Sequence, residues 1–328
     1  MAIALASNFV IYQEFIKTRI AELLAQNGNA FGAASNNAIR ILTQSRAGDY
    51  VQNNFFKNIT GLVTRRVNTS TSTVTDLAMT MDEYISVKLS RKIGPVGVTR
   101  DAFKKLLGGS FNPALGSAVV AEQAANAMQL DMLDAAIAGL AAALKQPAAS
   151  YYTDPSLGSM TTDTLIAALA KMGDRADRIV CWVMHSSAYY KLVRGQVAAN
   201  ITGVSNFNVA TATPVTLGRP VVVTDSASLQ WAASPDVPQF YTLGLVDSAA
   251  VVENTEEQEM VVQDVTGLDT LVVRWQGEFA YNLGLKGFKW DIANGGANPL
   301  LSTMKDGTNW DISFTDMKDR AGVAISTL

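Results

Sequence analysis

The residues best suited to chemistry in this sequence surround its one histidine. His185 is followed directly by Ser186 and Ser187. Asp174 and Asp177 lie a short distance upstream, so the residue types of a serine-hydrolase triad are all present. The members of such a triad come from distant segments, however, because neighbouring residues rarely reach the required geometry. A serine between an apolar run and an amphipathic one is better interpreted as a helix N-cap, and a hydrolase centred on His185 stays as the less favoured alternative.

Few other residues offer catalytic or metal-binding chemistry. The single cysteine, Cys181, excludes an internal disulfide, and within its apolar run it is interpreted as a small core residue. One histidine excludes any multi-histidine metal centre. The DGTNWD segment at 306–311 has loop-spaced Asp and Asn but lacks the glycine position and the terminal glutamate of an EF-hand. We therefore predict no catalytic residue, no metal and no cofactor.

Two clusters of charge stand out. The basic cluster consists of Lys88, Arg91, Lys92, Arg100, Lys104 and Lys105, and the acidic turn consists of Glu253, Glu256, Glu257 and Glu259. A solvated surface is the simple interpretation of each. The alternative for the basic cluster is a contact with phosphate or with an acidic patch on a neighbouring molecule. The acidic turn is the candidate for that patch.

The composition favours a surface that other protein copies cover. The chain has 328 residues and a mass of 35.0 kDa, with 26 basic and 29 acidic residues and a formal net charge of −3. Charged residues make up 17% of the chain, against about 25% in a typical soluble domain. Because the cores of protein interfaces are depleted of charge, such a surface suits burial between subunits. A near-neutral chain is not built as a polycation for nucleic acid.

The N-terminal region is predicted to be helical. Residues 3–26 have the apolar spacing of an amphipathic helix, and the Gly- and Asn-rich stretch 26–37 is expected to end it. Two interpretations stay open, an arm lying on a neighbouring subunit and a helix packed on its own domain. No signal peptide is predicted, because no basic flank precedes the apolar residues. No apolar run reaches the roughly 18 residues of a membrane span, so no membrane partner is expected.

Residues 58–90 are predicted to form a long hairpin. Apolar residues occupy odd positions from Leu77 to Leu89, with an interruption at Glu83, which is the period of a strand. A weaker strand is predicted at 59–67, and 68–73 is the polar loop between them. At about 3.3 Å per residue this hairpin outreaches a compact domain, so we expect it to project. An ordinary edge hairpin is the alternative.

The segment between Pro113 and Pro147 is predicted to be one long helix. Asn112 is a favourable N-cap, proline is favoured at the first helical position, and Pro147 stops the far end. Small and flexible residues recur at spacings of three and four, which favours close packing on another element: Ala121, Ala125, Met128, Met132, Ala136, Gly139 and Ala143. We interpret this helix as a structural spine.

The rest of the chain mixes helices and strands, so the fold class is α+β. Helices are predicted at 161–176 and 186–197, and strands at 179–184, 218–225, 240–254 and 257–265. Two more strands are predicted within 268–291, and a weak one at 310–314 in a polar tail.

This order of elements resembles the major capsid proteins of tailed bacteriophages, the HK97-type shell fold. The segment IVCWVMHSSAYYKLVRGQ at 179–196 resembles the strand, turn and helix of that family. TLGRPVVVTDS at 216–226 and FYTLGLVDSAAVV at 240–252 resemble the segments that follow in it. The resemblance covers about residues 40–291.

The resemblance implies an organisation into six regions. They are an N-terminal arm (1–50), an extended hairpin or E-loop (51–95), a peripheral domain with the spine helix (96–176), an axial domain (177–255), closing strands of the peripheral domain (256–291) and a C-terminal extension (292–328). No large fused scaffolding segment is expected before the hairpin. A scaffold would then be a separate chain or an N-terminal piece already removed.

The resemblance also implies the function. We expect a major capsid protein that is not an enzyme and self-assembles, as hexamers and pentamers, into an icosahedral shell around a double-stranded DNA genome. Its partners are then copies of itself, a portal, a separate scaffold or cement protein, and DNA through weak non-specific contact. The expected location is the virion, after assembly in the host cytoplasm. The alternatives are the shell of an encapsulin-type nanocompartment and the His185 hydrolase.

The resemblance raises the question of how such a shell is locked. Some members of the family join subunits by an isopeptide bond between a hairpin lysine and an asparagine of a neighbour. Here no lysine lies between Lys57 and Lys88, and Arg65 and Arg66 are the bases of that stretch. A guanidinium stays protonated and is a poor nucleophile. We therefore expect a shell held by noncovalent contacts.

Overall fold

The computed structural model of the chain describes residues 6–106, 113–146, 152–153, 158–201, 216–234, 237–255 and 258–328. The helices are α1 (Ala6–Ala34), α2 (Arg100–Leu106), α3 (Pro113–Leu144), α4 (Thr162–Met172), α5 (Ser186–Ile201), α6 (Ile292–Gly295) and α7 (Leu301–Met304). The strands are β1 (Ile39–Thr43), β2 (Tyr50–Phe56), β3 (Met81–Thr99), β4 (Tyr152–Thr153), β5 (Ile179–His185), β6 (Val221–Thr224), β7 (Gln230–Ser234), β8 (Val237–Val246), β9 (Ala250–Asn254), β10 (Glu259–Val265), β11 (Val272–Leu285), β12 (Phe288–Trp290), β13 (Trp310–Ile312) and β14 (Gly322–Thr327).

The first sheet is built around the long antiparallel pair β3 and β11. Its strand order is β1-β9-β11-β3-β2, and β10 also pairs with β11. The pair β3–β11 runs from Thr99 opposite Val272 to Val87 opposite Leu283. The period-two prediction holds in part. Ile85, Val87 and Leu89 are buried, but Ser86 between them is buried too, and the earlier apolar positions, Leu77, Met79 and Met81, are exposed.

The helix α3 lies in the core, as its small-residue stripe predicts. All seven residues of that stripe are buried, whereas Glu122 and Asn126 on the opposite side are exposed. A Cβ atom on Gly139 would lie 3.2 Å from Trp310 and 3.3 Å from Leu285, so the helix approaches its neighbours closely at this point. The prediction of a helix starting at Pro113 is confirmed, and the helix ends at Leu144.

The composition of α3 also meets the requirements of a membrane span. Residues Gly116–Leu144 are long and apolar enough to cross a bilayer, but 67% of the apolar window is buried inside the protein. The sequence-based expectation that no segment reaches this length was therefore wrong. Its burial among the sheets is that of a core helix.

The first helix extends further than predicted and packs on its own chain. It continues to Ala34, beyond the predicted break, and the chain turns at Asn36 and Asn37, which have φ of 50° and 59°. Ile16 and Ile20 of α1 are fully buried, and α1 packs along α3. From Ile16 onward this helix therefore packs on its own chain, and a contact of the arm with a neighbouring subunit stays a prediction.

The second sheet has the order β4-β14-β8-β5-β6, with β7 also paired to β8. Its strand β14 lies in the polar tail 292–328, to which the sequence assigned no role and where an extra strand and a contact arm were both open. Every residue of β14 is buried, and the strand pairs with β8 on one side and β4 on the other. The weak strand predicted at 310–314 exists as β13, which pairs with β12.

Each of the two sheets combines segments from several of the six regions predicted along the sequence. Strand β1, predicted as part of the arm, and β9, predicted in the axial region, both belong to the first sheet. Helix α4, predicted in the peripheral region, packs on β14 of the second sheet. The reason is that strand pairing joins segments far apart in sequence, whereas the boundaries were drawn along the chain.

Candidate assembly surface

The segment between β2 and β3 is the most exposed part of the described chain. The N–H of Lys57 donates to the carbonyl of Thr80 at 2.9 Å, and this bond closes the paired part of the hairpin. The residues beyond it, 58–79, form neither helix nor strand. We call residues 57–80 the projecting loop. The predicted strand at 59–67 is absent, and the second strand begins at Met81 rather than at Leu77.

The projecting loop carries unusually many exposed apolar side chains. Their exposed fractions, with those of the two strand ends at its root, are Leu62 69%, Val63 95%, Val67 54%, Val74 89%, Leu77 54%, Met79 66%, Phe56 62% and Met81 56%. Scattered apolar residues are normal on a protein surface, but a concentration of this kind marks an interaction site. The loop adds little to the core of its own subunit, so its apolar groups are available to another molecule.

Ion pairs and an aromatic contact fix the root of the projecting loop. The carboxylate of Asp82 accepts from Lys57 at 2.8 Å and from Lys289 of β12 at 3.2 Å. Burial raises the pKa of Asp82, but hydrogen bonds from the two lysines and a backbone N–H outweigh it and leave the pKa below its usual range. Phe55 also packs edge-to-face on Phe314, with ring centroids 5.2 Å apart. The loop is therefore anchored at one end and exposed along its length.

His185 has a structural environment. Its Nδ1 accepts a hydrogen bond from the backbone N–H of Ser187 at 3.2 Å, and its Nε2 lies 2.8 Å from the side-chain nitrogen of Gln230. The ring stacks on Phe240 with centroids 4.5 Å apart. Burial lowers the pKa of His185, although Asp225, 3.9 Å away, acts in the opposite direction. Both ring nitrogens of His185 are thus engaged by polar groups of the same chain.

The other members of the suggested triad are not assembled around this histidine. Asp174 forms an ion pair with Lys318. Within the described residues, neither Ser186 nor Ser187 has a hydroxyl hydrogen-bonded to the ring. Cys181 is fully buried, and burial raises the pKa of its thiol to about 11, as expected of a core residue.

Some residues of the two charged clusters form ion pairs within the chain. Among the basic residues, Arg91 pairs with Asp131 at 3.0 Å, Arg100 with Asp264, and Lys105 with Asp101 at 2.6 Å. In the acidic turn, both carboxylate oxygens of Glu253 accept from Arg46, at 3.2 and 3.3 Å. Glu256 and Glu257 lie outside the described residues. For the paired residues, a contact between the basic cluster and the acidic turn is therefore not needed.

The DGTNWD segment uses its first carboxylate as a cap. Asp306 accepts from the N–H of Thr308 at 3.0 Å and from its hydroxyl at 2.8 Å, and these bonds lower the pKa of Asp306. No group of three or more His, Cys, Asp or Glu side chains placed to hold a metal occurs in the described part of the chain. An exposed apolar loop on a mixed core, with the polar groups engaged in structure, is typical of an assembly subunit rather than of a ligand-binding protein.

Comparison with known proteins identifies the class. A model of the Gp13-like family, described as major capsid protein 13-like, matches residues 8–324. The chain therefore belongs to this family of major capsid proteins. Among curated proteins, none matches the chain in sequence.

Solved structures show the same fold at low sequence identity. The capsid asymmetric unit of cyanophage Pam1 is similar with a TM-score of 0.53 and 10% identity, over 89% of both chains. A chain from Microbacterium phage Oxtober96 and one from the capsid of Myoviridae phage XM1 are each similar with a TM-score of 0.51 and 13% identity, over 89% of this chain and 90% of theirs. The predicted HK97-like fold is thus confirmed.

The family and the fold together define the role of the protein. It is a shell-forming major capsid protein, a component of the virion that associates with copies of itself. The nanocompartment alternative is not favoured by these matches. The projecting loop could be found from the sequence, because the polar stretch 68–73 and the alternating residues after it predict an extended hairpin. Its projection was expected from the length of the predicted hairpin, whereas the absence of strand over residues 58–79 was not.

Proposed function

We propose that the subunit assembles, as hexamers and pentamers, into a closed icosahedral shell around double-stranded DNA. The observation that carries this proposal is the set of eight large apolar side chains exposed on the projecting loop and its root. In a shell, each loop lies on a neighbouring subunit, which removes this surface from water. Symmetric assemblies satisfy every subunit with the same contact.

The two sheets suggest how the subunit is arranged within the shell. The first sheet, with α1 and α3, forms the peripheral part and carries the projecting loop. The second sheet, closed by β14, forms the axial part around which a hexamer or pentamer is built.

Contact with the genome is weak and independent of sequence. The chain has a formal net charge of −3, so it lacks the excess of basic residues that strong phosphate binding requires. Arg91, Arg100 and Lys105 are already paired with carboxylates of their own subunit. Shell closure therefore rests on contacts between subunits, with a portal and a separate scaffold or cement protein as further partners. Assembly takes place in the host cytoplasm.

The shell is held together without covalent bonds between subunits. The projecting loop carries one lysine, Lys57, whose ammonium lies at the root and pairs with Asp82 at 2.8 Å. Arg65 and Arg66 are the cations further along the loop, and neither is a useful nucleophile. Cys181 is buried, so a disulfide between subunits has no available thiol. We infer a structural protein with no catalytic activity.

Electron microscopy of the purified protein tests the proposal. Negative staining is expected to show closed particles hundreds of ångströms across. The same particles, boiled in detergent with or without reductant, are expected to run as one band near 35.0 kDa. Small globules in the micrograph would overturn the shell function. A ladder of covalent multimers would overturn only the noncovalent mechanism.

A further inference from the structure

The projecting loop contains a segment with the composition of a strand but without a strand partner. Residues 62–67 read LVTRRV, so β-branched and apolar side chains surround two arginines. Such residues favour extended strands. Within the described chain, however, this segment pairs with no strand, and Leu62 and Val63 are 69% and 95% exposed. A segment of this kind is suited to pairing with the edge of a sheet in another molecule.

Strand β10 offers such an edge on the first sheet. One side of β10 pairs with β11, from Glu259 opposite Glu278 to Val265 opposite Val272. On the other side, no backbone group of β10 bonds to a strand of the described chain. Proteins commonly protect open edges with lysine, proline or a bulge. Strand β10 contains neither lysine nor proline, and its pairing with β11 has no register shift, so its edge is open to a further strand.

The position beside β10 lies in a row of the sheet that the subunit fills only in part. Strands β9 and β10 both pair with the same side of β11, and β1 pairs with the outer side of β9. No described strand continues the row of β1 beside β10. An open cleft of about 470 Å³ lies between the end of β1 and the start of β10, lined among others by Lys17 and Ala21 of α1, Thr43 and Gln258. The subunit thus has an opening at the start of the free edge.

The two faces of β10 define which side chains an added strand should carry. Met260 and Val262 are buried on the inner face, whereas Glu259, Val261 and Gln263 are exposed on the outer face. Val261 is 53% exposed, so an apolar group of this edge lies in water. A matching strand should therefore place apolar residues beside both Val261 and Val262.

The charge on the outer face favours a cation beside Glu259. Across the sheet, Glu259 lies opposite Glu278, and Glu278 lies opposite Lys92 of β3. Like charges directly opposite each other destabilise a sheet. Glu278 has Lys92 on its other side, but Glu259 lies at the edge, where a neighbour can come only from an added strand. An arginine in that position would offset the repulsion between the two glutamates.

One register of the loop on this edge meets both requirements. Side chains alternate between the faces of a strand, so the register decides which of them reach the outer face. In an antiparallel pair with Arg65 beside Glu259, Val63 lies beside Val261 on the outer face. Leu62 then lies beside the buried Val262 on the inner face.

The three other ways of placing a loop arginine beside Glu259 fail. The antiparallel pair shifted by one residue puts Arg65 beside the buried Met260, and the parallel pair with Arg65 beside Glu259 puts Arg66 there. A charge in that place would be costly. The parallel pair with Arg66 beside Glu259 puts the polar Asn68, rather than an apolar residue, beside Val261.

We propose that residues 62–65 of the projecting loop of one subunit add to β10 of a second copy as an antiparallel strand. The backbone supplies the hydrogen bonds of this pairing, and the side-chain pairs Arg65–Glu259 and Val63–Val261 set its register. The segment forms no strand in the single subunit because its partner strand belongs to another copy. This inference rests on the proposed self-assembly and assigns a specific contact within it.

Disulfide trapping tests the register directly. Residues opposite each other on neighbouring strands have Cβ atoms about 4.5–5.5 Å apart, near the separation that a disulfide spans. Particles of the double variant Val63→Cys with Val261→Cys are treated with oxidised glutathione and boiled in detergent without reductant. They are expected to run as a ladder of covalent multimers. The native Cys181 is buried and does not contribute.

The matched control for the trapping moves one cysteine along the loop. Val74 is 89% exposed on the same loop but lies outside the pairing segment. The double variant Val74→Cys with Val261→Cys is therefore expected to run mainly as one band near 35.0 kDa under the same conditions.

A charge exchange tests the same register without a new covalent bond. Arg65→Glu is expected to need about a tenfold higher protein concentration to form particles, because like charges replace opposite ones across the strand pair. Adding Glu259→Arg is expected to restore assembly. Arg66→Glu is the control, and Glu259→Arg should not relieve its effect. Arg65 is exposed, so the melting temperature of the unassembled Arg65→Glu subunit should match that of the wild type.

The outcomes separate this contact from the proposed function. If wild-type particles form but the cysteines at 63 and 261 do not crosslink, or the Val74 control crosslinks equally well, the strand pairing is overturned alone. Reduced assembly of Arg65→Glu that Glu259→Arg does not restore would place the loop at a different edge and overturn it too. Wild-type protein that forms no particles would overturn the proposed function and the contact with it.

Discussion

The helix α3 and the projecting loop are both rich in apolar residues, and the fold treats them in opposite ways. The stripe of α3 is buried, and after Ala135 every residue of the helix is buried up to Leu144. On the projecting loop, Val63 and Val74 are 95% and 89% exposed. Apolar surface left in water forgoes about 25 cal/mol per Å². The helix α3 therefore stabilises the subunit itself, whereas the projecting loop leaves its apolar surface available for a contact between subunits.

The location of charge supports this division. Around the core, ion pairs such as Arg91–Asp131 and Arg46–Glu253 satisfy charged groups within the chain. On the projecting loop, the arginines find no such partner among the described residues. Changes in the core should therefore be measured in the stability of the isolated subunit, and changes in the loop in its assembly.

The largest effect on subunit stability is expected from a charge in the C-terminal strand. Ile325 is fully buried in β14, between β8 and β4. Ile325→Asp should cost more than about 4 kcal/mol, because a buried carboxylate there has no partner. Circular dichroism should show an unfolded or aggregated chain. Val63→Asp on the projecting loop is the control, and equal damage from both changes would contradict the contrast between core and loop.

A smaller loss is expected from overpacking α3. Gly139→Leu introduces a side chain where a Cβ alone would lie 3.2 Å from Trp310, and should cost about 1–3 kcal/mol. Thermal unfolding of the subunit measures the loss. The control is Leu130→Ala on the exposed side of the same helix, where Leu130 is 67% exposed. An unchanged melting temperature for Gly139→Leu would show that the helix has room to move.

The buried histidine should make the core sensitive to mild acid. Because burial lowers the pKa of His185 in the folded state, the unfolded chain, with a pKa of about 6.5, binds the proton more readily. The stability contributed by the neutral ring is present above about pH 6.5 and is lost as the pH falls below it. The melting temperature should therefore fall more steeply between pH 7 and pH 5 for the wild type than for His185→Gln. Parallel curves of melting temperature against pH for the two proteins would show that His185 does not cause the loss of stability in acid.

The smallest effect on the subunit is expected from shortening the projecting loop. Deleting Asn68–Thr73 removes an exposed polar stretch that lies outside the core. The free energy of unfolding should therefore change by less than about 0.5 kcal/mol, with a correspondingly small change in the melting temperature. Particle formation should be strongly reduced or abolished. Normal particles from the deleted chain would show that the loop is dispensable for assembly, and an unfolded chain would place it in the core.

Sequence reasoning was most reliable where a pattern is local and long. The stripe of α3 repeats along the whole helix, so this element was predicted correctly. The alternation ending at Leu89 predicted a strand that exists only from Met81 onward, because Leu77 and Met79 lie in the projecting loop. It failed at β14, because GVAIST is short and has no alternation, and nothing near it in the sequence shows that β8 and β4 lie on either side. It also failed at the end of α1, where Gly28 and Gly32 stay helical because tertiary packing outweighs their low propensity.

The sequence by itself determined the class of the fold, the spine helix, the hairpin and the lack of a lysine suited to crosslinking beyond the hairpin's root, since each follows from residue types and local spacing. The tertiary structure alone decided two further features. It placed the C-terminal strand inside the second sheet, and it surrounded His185 with hydrogen-bonding and stacking partners of the same chain. These features depend on contacts between residues far apart in the chain, and local propensity carries no information about which distant segments will meet.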